Sequence, residues 1–199
     1  MKAFDRIYGG IVIGLALLTL PFLLGWWASY LLQFNIIAGA MAGIGAGIGI
    51  AAILTKRIAS QFYNLNTILL VLLFLFYEMA IFGFSMGVPI FNILPGIMAG
   101  VYTGRKSGLN GDDSITFEKE LKKASLFSAV VLLIIALISA CLAVSDPHTA
   151  ANLQGMLKLG FPVTQAMIWG LIICGGAVLI IAQHILSIKA GRLAYRKAL

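Results

Sequence analysis

A chain of 199 residues that is 61% hydrophobic and 11% charged is far more apolar than a soluble globular domain, in which about a quarter of residues carry charge. Its formal charge of +7 would suit nucleic acid only if it formed a folded basic face, and here it is confined to short loops and tails between apolar runs. Composition therefore points away from an aqueous globular fold and from a nucleic-acid partner, and leaves the lipid bilayer as the solvent.

Crossing the ~30 Å hydrocarbon core takes roughly 20 residues of helix, because a backbone in lipid must satisfy its own hydrogen bonds. The first apolar run, 10–32, follows Lys2 and Arg6. It exceeds the apolar core of a signal peptide, about 7–15 residues, and reads as a membrane helix. Runs at 35–54, 66–86, 125–145 and 165–187 also qualify. The segment 88–104 is shorter and places Pro95 beside Gly96, so charge has to decide whether it spans.

If it spans, one side of the membrane holds Lys2, Arg6, Lys56, Arg57, Arg105, Lys106, Lys119, Lys122, Lys123, Lys189, Arg192, Arg196 and Lys197, which is 13 of the 14 basic residues, with Lys158 opposite. If it does not, nine of them move outside. The positive-inside rule predicts six helices with both termini cytoplasmic. Trp26, Trp27, Tyr30 and Trp169 then fall at the outer interface, where aromatic residues belong.

Two segments repeat. Residues 34–47 read FNIIAGAMAGIGAG and 91–104 read FNILPGIMAGVYTG, identical at 8 of 14 positions at an offset of 57. This predicts two hairpins of the same orientation, a parallel repeat, at about 8–57 and 65–106, with a third hairpin at about 124–189. Gly39, Gly43 and Gly47, and likewise Gly96, Gly100 and Gly104, recur every fourth residue and form stripes on which a neighbouring helix can approach closely. Gly45, Gly47 and Gly49 resemble part of a nucleotide-binding fingerprint, but no strand precedes them. The second stripe meets Arg105 directly after Gly104. Helix four is therefore expected to end there, short of the inner surface, followed by a polar loop at 107–113 and a charged cytoplasmic extension of helix five from Ser114.

Glu78 is the acidic residue deep within a predicted span, where an ionisable group is expensive and usually faces a partner or a wet cavity. Pro95 and Gly96 fall at a matching depth on helix four. Proline removes a backbone donor and frees the carbonyl four residues earlier, so a broken helix beside a carboxylate would offer oxygens to a proton or small cation. Asn92 and its mate Asn35 would add amide oxygens nearer the outer mouth. The plainer alternatives are a neutral Glu78 bonded to a neighbouring helix, asparagines that only cap their helices, and a Pro95 that only kinks its own. His184, after Gln183, reads as a helix-end residue far in depth from Glu78, and His148 as a solvated loop residue. Cys141 and Cys174 have no metal-binding spacing. The acidic cluster Asp112, Asp113, Glu118 and Glu120 fits no calcium loop. No serine stands in sequence pattern with a histidine base, and no metalloprotease, hydrolase or phosphate-loop motif is present.

The expectation is an all-α integral membrane protein: one transmembrane domain over 1–199, a six-transmembrane-helix bundle in the plasma (inner) membrane, with no enzymatic site, metal or cofactor. Its function is expected to be of transport type, binding or conducting a small solute, ion or proton near Glu78, Asn92, Asn35, Pro95 and Gly96. The alternative is a non-transporting subunit whose glycine stripes dock a second copy or a partner membrane subunit and whose basic segments bind anionic lipid.

Overall fold

The computed structural model describes residues 3–198, and among them the fold is all-helical, without strands. Lys2, counted above among the cytoplasmic charges, lies outside the described residues. Among the described residues five helices are long and apolar enough to cross a membrane: α1 (Ala3–Leu31), α2 (Ile36–Ser60), α3 (Thr67–Phe84), α5 (Ser114–Ser145) and the last, Gln165–Arg196. This last helix is α7 (Gln165–Gly170), one π turn (Leu171–Gly175) and α8 (Gly176–Arg196). Between these lie α4 (Ile93–Asn110) and the short α6 (Thr149–Met156). α4 stands outside the apolar set because its C-terminal half carries Arg105, Lys106, Ser107 and Asn110. The chain forms two compact units that divide between Phe76 and Tyr77, within α3.

In the first unit α1 and α2 pack antiparallel along the first glycine stripe. A Cβ at Gly39 would strike Ser29 and the Gly25 carbonyl, one at Gly43 the backbone of Pro21, and one at Gly47 the backbone of Leu18. The stripe is thus filled by the chain's own α1. Asn35 starts α2 by accepting the Ala38 amide at 3.2 Å, which satisfies one of the orphan donors of a helix N-terminus. At the far end a short turn, Phe62–Asn64, folds back onto α1. There Phe62 lies against Gly9, and the Tyr63 hydroxyl donates to fully buried Asp5 at 3.0 Å. A buried carboxylate that loses a donor costs about 1–3 kcal/mol or more. Tyr63→Phe is therefore expected to lower the melting temperature in detergent, whereas Tyr30→Phe, at an exposed residue, leaves it unchanged.

In the second unit the glycine stripe of α4 meets α8, so the two matched sequence segments find different kinds of partner. Gly96 faces Gln183, Gly100 faces Ser187, Gly104 faces Gly191, and Gly108 faces Ala198. The numbers rise together, which means α4 and α8 run parallel. α5 runs antiparallel to α8, with Leu121 against Gly191 and Ser125 bonded to His184 at 2.8 Å. At the basic end Phe117 stacks on Tyr195 at 4.0 Å, the Tyr195 hydroxyl donates to the Asp112 carbonyl at 2.6 Å, and Arg192 donates twice to Glu118 at 2.7 and 2.9 Å. The ion pair is solvent-exposed and contributes about 0.2–1 kcal/mol; the stacked rings are the larger fastening.

Two sequence expectations change here. Helix four does not stop at Gly104. It continues through buried Arg105 to Asn110 and ends on Gly111, whose φ of 74° places it in the left-handed region. The cause is α8, which also runs beyond its apolar stretch, to Arg196. Contacts from Gly104 and Gly108 onto this extension keep the polar segment helical, so part of the expected 107–113 loop is helix. α5 begins at Ser114, capped by Asp113, which accepts the Thr116 amide at 3.3 Å. Hydrogen bonding from Thr116, first from its side chain and then from its amide, holds the exposed Asp113 carboxyl below its ordinary range.

Candidate functional site: a buried oxygen cluster

α3 ends at Phe84, and the chain reverses through Met86 and Gly87, both at positive φ. The Ser139 hydroxyl of α5 donates to the Gly87 carbonyl at 2.6 Å and pins this reversal. A short turn, Pro89–Asn92, then delivers Asn92 to the start of α4. Asn92 does not cap its helix as Asn35 does. Its side-chain nitrogen donates both hydrogens to Glu78, to the backbone carbonyl at 2.7 Å and to Oε2 at 2.6 Å. Gln183 on α8 completes the group, with Nε2 donating to the Asn92 carbonyl at 3.2 Å. Glu78, Asn92 and Gln183 are each fully buried.

These bonds fix the orientation of both amides. Turning Asn92 over would put its carbonyl oxygen against two Glu78 oxygens, and turning Gln183 over would oppose two carbonyls; acceptors cannot satisfy one another. The outcome is a cluster rich in unpaired acceptors. Glu78 Oε1, Asn92 Oδ1, Gln183 Oε1 and the Ser187 hydroxyl oxygen one turn further along α8 are buried without a hydrogen-bond partner. Buried polar atoms are paired in the great majority of cases, so four on neighbouring residues of one small region set it apart from ordinary packing.

Of the residues expected from sequence, Glu78 and Asn92 are brought together. Pro95 and Gly96 lie beside them, buried in the first turn of α4. Pro95 does not break the helix: it is the third residue of α4, where a backbone N–H has no intrahelical acceptor to lose. Gly96 has a steric task, since a Cβ there would overlap the Gln183 side chain, with Cγ at 2.5 Å and Cδ at 2.6 Å. Asn35 is exposed in its own unit and its side chain is committed to the α2 cap. Gly39, Gly43 and Gly47 pack on α1, and Gly100 and Gly104 on α8.

The sequence reading missed Gln183, Ser187 and Asp5. It also misplaced His184, which stands next to Gln183 and so within one residue of the layer that holds Glu78. The last helix continues to Arg196, so what reads as its end is a point along its length. Gln183 lies about 9 Å of helix rise from Lys189 and about 21 Å from Trp169. His184 is tied to α5 by Ser125, whose hydroxyl lies 2.8 Å from Nδ1 and 3.2 Å from the His184 carbonyl. Ser125 is fully buried and His184 partly buried, and the pair fastens two helices together. The one signal that could have exposed Gln183 is its amide inside an otherwise apolar run. Comparison of the chain with protein-family models, curated proteins and solved structures finds no match.

Proposed function

We propose that this chain is a multi-pass protein of the plasma (inner) membrane that binds or conducts a small ion or proton at Glu78, Asn92 and Gln183. The observation that carries the reading is a carboxylate and two amides, all fully buried, that keep oxygens without donors. Burying such oxygens costs free energy unless something charged or donating reaches them. The topology that goes with this reading has six crossings, α4 being the fourth, and cytoplasmic termini. Two features support it: α4 runs parallel to the last helix, as two inward crossings must, and the basic residues of α4, α5 and α8 gather at one end. The docking-subunit alternative loses its main support, because both glycine stripes are filled by helices of the chain itself.

The test is thermal stability of the purified protein in detergent, scanned over pH and a panel of cations and small metabolites, with Glu78→Gln beside wild type. A ligand that binds the folded state raises the melting temperature by mass action. A shift in wild type that Glu78→Gln loses is expected; a panel without any shift counts against the reading.

A further inference from the structure

Resting on that reading of the same site, we infer that its ligand is a single monovalent alkali-metal cation, held by side-chain oxygens of α3, α4 and α8. Two properties of the cluster separate this from the other small ligands. The first is the number of unpaired oxygens. A proton on Glu78 Oε1 would create one donor for the two amide oxygens, and the Ser187 hydroxyl, the other donor nearby, bonds neither of them, so one stays orphaned. An ammonium-type metabolite brings donors, but it also brings bulk. A Cβ at Gly96 already collides with Gln183, so α4 and α8 leave no space for a bulky group where they meet beside the cluster. A bare cation, unlike a proton, can serve several oxygens at once, and Glu78 Oε1, Asn92 Oδ1, Gln183 Oε1 and the Ser187 hydroxyl oxygen are the buried oxygens without a partner.

The second property is charge. Glu78 supplies one negative charge, and Asn92, Gln183 and Ser187 supply none. A monovalent ion gives a neutral assembly. A divalent ion would leave a net positive charge in a low-dielectric region, where an uncompensated charge is strongly penalised, and magnesium in addition gives up its water reluctantly. Arg105, the buried cation on α4, stands nine residues beyond Gly96, about 13 Å along the helix, and does not replace the ligand. Since α8 contributes Gln183 and Ser187, an ion held here also fastens α8 to the start of α4, and occupancy should be visible as stability of the α4–α8 contact.

The experiment is a thermal-shift titration of wild-type protein in detergent with sodium, potassium, lithium and calcium chlorides, at ionic strength held constant with choline chloride, repeated from pH 5 to 9. One alkali cation is expected to give a saturable upward shift at neutral pH. Glu78→Gln should abolish it and Gln183→Leu should weaken the apparent affinity at least tenfold. Ser187→Ala removes an oxygen without a hydrogen-bond partner and so is expected to fold normally; it should weaken the affinity several-fold, and it keeps the test decisive if Gln183→Leu does not fold. A response to pH alone, with no alkali cation active, would overturn the cation assignment while leaving the ion-or-proton reading of the site intact. Calcium acting at lower concentration than any alkali cation would overturn the monovalent assignment. No response to any cation or to pH would overturn both.

Discussion

Gly100→Ala is expected to be among the most damaging single-methyl changes in the chain. The added Cβ would be driven into the Ser187 carbonyl group and would lie 2.9 Å from both its carbon and the Ser187 side-chain oxygen. A side chain could turn aside, but the obstacle here is mainly helix backbone, so α4 and α8 must move apart. Overpacking of this kind costs about 1–3 kcal/mol. Separation would also loosen Gly104 from Gly191 and Gly108 from Ala198, because one rigid helix carries all three glycines. Gly100→Leu should prevent recovery of folded protein. Gly45→Ala is the control: nothing lies within 4 Å of the Cβ it would add, and an exposed helical glycine replaced by alanine gains up to about 1 kcal/mol in helix propensity. The melting temperatures in detergent should therefore move in opposite directions. Equal melting of Gly100→Ala and wild type would mean that α4 and α8 do not meet along this stripe.

Much of the fold is legible in the sequence, because apolar length is a one-dimensional property. Five helices fall where the apolar runs predict them, and the extension of α5 from Ser114 follows from its charge pattern and the Asp113 cap. The partners of the helices are not legible in this way. The FNI segments at 34 and 91 begin helices at the same offset of 57, at Ile36 and Ile93, yet one stripe packs on an antiparallel neighbour and the other on a parallel helix some ninety residues away. A stripe of small residues states that a close neighbour exists and carries no information on which helix fills it. Glu78 and Asn92 could be singled out because buried polar residues are rare in lipid. Gln183 carried the same kind of signal, an amide inside an apolar run, but its partner could not be read from sequence, since only the packing of α8 on α4 brings residue 183 level with residue 92. The extent of α4 was misread for the same reason: its polar half is helical only because α8 lies alongside it.

The difference between the two asparagines gives the second large effect. Asn35→Ala removes one cap hydrogen bond at an exposed helix start and should cost about 0.5–2 kcal/mol. Asn92→Ala removes both donors that reach Glu78, leaving a further buried carboxylate oxygen with no partner. Each stranded buried group costs about 1–3 kcal/mol, and a charged one more, so Asn92→Ala should melt well below Asn35→Ala. The stronger test is the pair of changes together. If Asn92 matters through Glu78, then Glu78→Leu combined with Asn92→Leu should be more stable than Asn92→Leu alone, since removing both members of a buried polar pair can be nearly neutral while removing one is not. A double-mutant cycle measured by melting in detergent should return a coupling of about 1–3 kcal/mol, in the range found for residues in one hydrogen-bond network. Additive losses would show that Asn92 and Glu78 act separately, and the oxygen cluster would then lose the bond that holds it together. The cycle also separates structure from binding: the double variant should regain stability but show no cation-dependent shift, because it has lost two of the oxygens that a cation would share.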